Sequence, residues 1–172
     1  TFDLNFNWPS LTLIDFNLLD FESIPGFDVL TGGFPCQPFS VAGKRQGFED
    51  SRGNHFFTIA RLINLRRPIA FILENVKGLL RHDGGNTFKT ILSTLQEINY
   101  SVKYAVLNSK IHANIPQNRE RLFIVGFRDS WICSKFEFPK PIPLTKTVFD
   151  LLEDEVSDRF TVSEKINEKL LE

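Results

Sequence analysis

The sequence predicts an α/β fold, a layered sheet of mostly parallel strands with flanking helices. Three observations carry this. Short β-type runs alternate with two segments of helical periodicity, the run at Ile69–Leu73 is apolar throughout as in a strand buried on both faces, and polar residues follow at once as Glu74 and Asn75. The first run, Leu11-Thr12-Leu13-Ile14, ends in Asp15, and a second, Asp28-Val29-Leu30-Thr31, follows a turn at Pro25-Gly26. The stretch from Gly32 to Gly53 is rich in glycine and too long for a plain connector, which marks it as a functional loop.

Residues 54–66 form the first predicted helix, with Asn54 as cap, Phe56, Ile59, Ala60 and Ile63 on one stripe, and Pro68 beyond the end. Turn residues at His82–Asn86 precede the second, whose stripe is Phe88, Ile91, Leu92 and Leu95. Strands follow at Lys103–Leu107 and Arg121–Phe127, and this alternation argues for right-handed crossovers. After Arg128 the alternating prolines Pro139, Pro141 and Pro143 favour an extended connector. Val148–Leu152 suits a helical turn or two, and Thr161-x-x-Glu164 a further helix start.

The chain has 172 residues, 42% hydrophobic and 24% charged, enough apolar material for one core and too much for a disordered tail. Its apolar runs fall far short of the ~20 residues that span a bilayer, and no charged-then-apolar leader opens it, so a soluble intracellular protein is expected. Lys and Arg number 20 against 21 Asp and Glu, so a nucleic-acid partner would have to be held by a local basic cluster. The 18 phenylalanines are scattered and read as core filler.

In open α/β sheets ligands sit beyond the carboxyl ends of the strands. Cys36 stands just past such an end, between Pro35 and Pro38, and is either a buried inert thiol or a directed reactive one. Glu74 should meet a crevice, be hydrogen-bonded or keep its proton, unless it is an ordinary strand-end carboxylate in solvent. Arg119 and Arg121, two residues apart, would share a face suited to phosphate or a base edge, with a solvated ion pair as the alternative. Lys44, Arg45 and Arg52, with Ser40 and Ser51, make a local basic and hydroxyl cluster in the long loop. Cys133 has no polar company and reads as structural. No zinc-binding pattern of the deaminase type is present, so no metal is expected.

Gly33-Phe34-Pro35-Cys36-Gln37-Pro38-Phe39-Ser40, then Glu74-Asn75-Val76, then Gln117-Asn118-Arg119-Glu120-Arg121 before a strand resemble, in order and spacing, the DNA (cytosine-5) methyltransferases. Gly47–Gly53 and His82–Thr87 resemble that family too, and the likeness runs from about Asp15 to Phe127. It implies the Rossmann-like fold of S-adenosylmethionine-dependent methyltransferases, incomplete at the N-terminus. It also implies methyl transfer to C5 of a cytosine flipped out of duplex DNA, in a prokaryotic restriction-modification system and the bacterial cytoplasm. By resemblance Cys36 is the nucleophile that adds at C6, Glu74 shares a proton at N3, Arg121 holds the cytosine O2 and Arg119 steadies the carboxylate and loop. Asp15 and Pro35 fall at cofactor positions, and Phe34, Gln37, Ser40, Lys44 and Arg52 at positions for the base and DNA backbone.

The family's glycine-rich F-x-G-x-G cofactor loop and its target-recognition domain are missing from the sequence. Residues 1–128 are therefore expected to be the central part of the catalytic domain, and 129–172 a connector toward target recognition. The isolated chain is expected to bind S-adenosylmethionine poorly, and a companion segment or chain would carry the cofactor loop. Three other readings compete, a tRNA cytosine-5 methyltransferase of the same fold, a non-catalytic nucleic-acid-binding or subunit-pairing fragment and, weakest because no resolving cysteine sits beside it, a thiol-redox module around Cys36. The Pro38-Phe39-Ser40 ending favours the DNA branch.

Overall fold

The structure, a computed structural model, describes residues 20–35, 55–155 and 157. The expected strand at 11–14, most of the long loop, the cap at Asn54 and the helix start at Thr161 lie outside the described residues, as do the site candidates Asp15, Cys36, Gln37, Ser40, Lys44 and Arg52.

Among the described residues four strands form one sheet in the order β1-β2-β4-β3, where β1 is Val29–Gly33, β2 Ala70–Val76, β3 Ser101–Asn108 and β4 Glu120–Phe127. β1 and β2 pair parallel, and β4 runs antiparallel to both β2 and β3. Three strands thus point one way, as expected of a mostly parallel sheet, and β4 is inserted between two of them in the opposite sense. The connections account for this mixed sheet. A crossover of helix α1 (His55–Arg66) joins the parallel pair, whereas β3 returns as β4 through only the short excursion 109–119.

α1 and α2 (Asn86–Glu97) bury the stripes their periodicity predicts, Phe56, Ile59, Ala60 and Ile63 on one and Phe88, Ile91 and Leu95 on the other. Both supply the main core, with Phe71 and Leu73 of β2, Leu122 and Ile124 of β4 and Tyr100. Burying a large apolar side chain stabilises the fold by roughly 1.5–3 kcal/mol. The Phe71 ring occupies the space beside Gly126 of β4, where a Cβ would come within 2.1 Å of it. Tyr100 donates from its hydroxyl to the Pro68 carbonyl (2.6 Å), and burial pushes its pKa up despite the cations Arg67 and Arg128.

β2 departs from the sequence expectation in two ways. The strand does not stop at the carboxylate but continues through Glu74 and Asn75 to Val76. Nor is it buried on both faces. Phe71, Leu73 and Asn75 are buried, and Ile72 and Val76 on the other side are exposed. What covers that second face among the described residues is α4 (Ser130–Lys135) and the chain after it, where Cys133 packs with Val125, Phe127, Phe136 and Phe138. The Cys133 thiol is thus a buried packing group, as its sequence context suggested.

The turn after β2 is a 3-10 segment, Lys77–Gly85, whose end passes through the left-handed region at Asp83, Gly84 and Gly85 (φ 51°, 62° and 88°). The paired glycines make that reversal inexpensive and launch α2. Beyond α4 the described residues, to Glu155, include a 3-10 turn at Phe149–Leu151 where a turn was expected. No helix of the described residues is long and apolar enough to cross a membrane.

Candidate active site

β2 and β4 bring two of the candidates together. Glu74 pairs across the ladder with Phe123, and Val76 with Arg121. Residues two apart on a strand share a face, so Glu74 and Arg121 are diagonal neighbours on the same side, within reach of a long side chain. The Arg121 Nε donates to Glu74 Oε1 at 2.9 Å, with the side chains 25% and 40% exposed, so the pair is accessible from outside the sheet. A second guanidinium nitrogen, Nη1, donates to the Glu120 carbonyl at 2.8 Å, which fixes the plane of the fork.

Glu74 lies at the carboxyl end of the parallel pair, opposite Gly33 of β1. Arg121 lies at the start of the reversed strand. That reversal is what lets a strand's beginning meet the ends of its neighbours. Gly33, the ladder partner of Glu74, is exposed, as is Pro35 two residues on. Phe34 is placed differently from a substrate-facing side chain. Its ring is buried, 5.3 Å from that of Phe56, and its contribution to the edge is the backbone.

Asn75 governs that backbone. It is 3% exposed, its Nδ2 donates to the Phe34 carbonyl at 2.7 Å, and its Oδ1 accepts from the Val76 amide at 2.8 Å. The buried amide thus ties the end of β2 to the end of β1, two residues before Cys36 in the sequence. Sequence reasoning passed over Asn75, although a polar side chain within a buried run has to find partners on both its atoms. On the opposite face Lys77 Nζ donates to both carboxylate oxygens of Glu120 (2.9 Å each), a bridge from the start of the 3-10 segment to β4 that was also not foreseen.

Arg119 lies one residue before β4. It is exposed, and no ion pair holds it among the described residues. The structure therefore joins Glu74 with Arg121, sets Pro35 and the Phe34 carbonyl at the same edge, and leaves Arg119 beside it. The arrangement offers a carboxylate with one oxygen engaged by a guanidinium, a geometry suited to exchanging a proton with a polar ring held at the edge.

A family model described as C-5 cytosine-specific DNA methylase matches residues 1–172. The Type II methyltransferase M.Bsp6I of Bacillus sp. (strain RFL6) is 49% identical over 167 residues, which covers 95% of this chain and 53% of the relative. M.DsaV of Dactylococcopsis salina is 46% identical over 167 residues, covering 96% of this chain and 47% of its own. The chain spans about half the length of these curated relatives. The crystal structure of S. pombe Dnmt2 methyltransferase superposes with a TM-score of 0.57 at 20% identity, over 91% of this chain and 50% of that one, a likeness of fold. With the family model matched along the whole length, this chain belongs to the C-5 cytosine-specific DNA methylase family.

Proposed function

We propose that the protein carrying this chain is a DNA cytosine-5 methyltransferase of a type II restriction-modification system, acting on a cytosine turned out of duplex DNA. The observation that carries this reading is the Glu74–Arg121 pair at the carboxyl edge of the sheet, in a chain of this family. The names of the relatives, type II methyltransferases, favour DNA over tRNA as substrate.

Cytosine C5 is a weak nucleophile. The Cys36 thiolate adds at C6 of the flipped base, which makes C5 an enamine carbon, and departs when the C5 proton is removed. Glu74 shares a proton at N3 and relieves the negative charge that addition puts on the ring. Arg121 holds O2 of the base and keeps the carboxylate oriented, while Arg119 steadies the carboxylate and the loop. S-adenosylmethionine, when bound, supplies the electrophilic methyl group. The exposure of Gly33 and Pro35 at this edge fits a cofactor held there, with Pro35 and Asp15 among the residues that hold it. Ser40, Lys44 and Arg52 contact the DNA backbone, Gln37 lies beside the base, and residues 129–172 lead toward the segment that reads the target sequence.

Duplex DNA carrying 5-fluorocytosine tests the reading, because fluorine blocks the final elimination and leaves the enzyme attached. The full-length protein with S-adenosylmethionine should form an adduct that mass spectrometry maps to Cys36, and Cys36→Ser should form none. An adduct elsewhere, or methylation with no trapped complex, would remove Cys36 from its role.

A further inference from the structure

We infer that Asn108 and Asn118 form a clamp that positions Arg119 for the reaction proposed above, a reading on which this inference rests. The ladder between β3 and β4 ends with the pair Asn108 and Glu120, and that between β2 and β4 ends at Val76 and Arg121. Arg119 therefore lies outside both ladders. Its neighbours inside the strand are held by sheet hydrogen bonds, and Arg121 is further tied to Glu74 and to the Glu120 carbonyl. Arg119 has no such anchor at its side-chain end among the described residues. Where its guanidinium goes is set by its backbone.

Two bonds from the end of β3 hold that backbone. Asn108 Nδ2 donates to Asn118 Oδ1 at 2.6 Å, and the Ser109 amide donates to the Arg119 carbonyl at 3.1 Å. Asn108 is 8% exposed, and its Oδ1 accepts from the Lys110 amide at 2.9 Å, where the short helix α3 (Ser109–His112) begins. The amide cannot turn without leaving a buried polar atom unpaired, so it is a rigid donor. On the other side of the contact the chain is wound tightly, with Gln117 N donating to the Ile115 carbonyl (2.7 Å) and Arg119 N to that of Gln117 (2.9 Å). A rigid donor and a tight turn together fix the residue between them. Asn118 and Asn108 are thus positioning residues that act through Arg119.

The test is a cycle in the full-length protein with cytosine-containing duplex DNA. Asn118 is exposed, so Asn118→Ala removes the clamp and leaves the core alone. It should lower kcat about tenfold and move the KM for S-adenosylmethionine by less than about twofold, as expected for a reacting group misplaced rather than a fold lost. Asn118→Asp keeps the acceptor oxygen and should stay within about threefold of wild type in kcat. In an Arg119→Ala background Asn118→Ala should cost nothing further. The same loss in both backgrounds, or Asn118→Asp falling as far as Asn118→Ala, would overturn the clamp. A wild-type protein that leaves cytosine unmethylated would overturn the functional reading and the clamp's role together, whereas an active wild type with additive losses overturns the clamp alone.

Discussion

The two faces of the sheet are built from the same strands and differ in what they hold. One face, carrying Phe71, Leu73, Leu122 and Ile124, is closed under α1 and α2 and holds the largest fully buried side chains. The other, carrying Ile72, Glu74, Val76 and Arg121, is covered only in part by the described residues and holds an ion pair open to approach. The alternation of strand side chains makes this division residue by residue, so stability and the proposed chemistry fall to neighbours in the sequence. The closed face should therefore set how tightly the protein folds, and the open face how fast it reacts.

The sharpest way to break that contrast is at the closed face. Phe71→Ala should cost about 4 kcal/mol of unfolding free energy, because it opens a cavity beside Gly126 under a helix-covered surface. Chemical denaturation measures this, and a loss under about 1 kcal/mol would mean the face repacks freely. On the open face Glu74→Gln should lower the methylation rate about a hundredfold and still bind DNA. Its thermal midpoint should barely move, since a partly exposed ion pair contributes under about 1 kcal/mol. Near-normal turnover would take Glu74 out of the chemistry, and a large fall in stability would erase the distinction between the faces.

Asn75 sharpens the comparison because its amide belongs to the closed face but holds the backbone at the edge where the reaction is proposed. Asn75→Ala should cost about 2 kcal/mol by removing two hydrogen bonds of a buried amide, one to the Phe34 carbonyl and one from the Val76 amide. Denaturation gives that cost, and methylation measured under folded conditions should fall as well. If stability falls and the rate does not, Asn75 serves the fold alone.

The smallest effect concerns Tyr100. Its pKa is raised by burial, so the folded state resists loss of the proton more than the unfolded chain does. Stability is full below the unfolded value of about 10 and is lost as pH rises through the higher folded value. Tyr100→Phe should cost about 1 kcal/mol near neutrality through the lost bond to Pro68, and should remove the Tyr100 part of the alkaline fall. An unchanged slope between pH 9 and 11 would assign that fall to other groups.

Much of the fold was legible in the sequence because period alone reveals it. The stripes of α1 and α2 and the apolar runs of β2 and β4 appear where their spacing places them. The reversal of β4 was not legible, because strand direction follows from the length and path of the connection 109–119, and an apolar run reads the same either way. Glu74 and Arg121 were identifiable singly, but their contact depends on the register that pairs Val76 with Arg121, and no local pattern encodes register. The bonding roles of the asparagines were not legible for a related reason. Asn75, Asn108 and Asn118 look like turn residues in one dimension, and only the packing shows which carbonyls and amides they serve.

The insertion of β4 between β2 and β3 also bears on synthesis. β2 emerges from the ribosome with β1 on one side and an unpaired edge on the other, and β3 follows without an adjacent partner. Neither gap fills until Phe127 is available, since the strand that joins them is the last of the four described strands. The nascent chain therefore carries an exposed strand edge for about fifty residues, the interval in which pairing with another chain competes most strongly with folding.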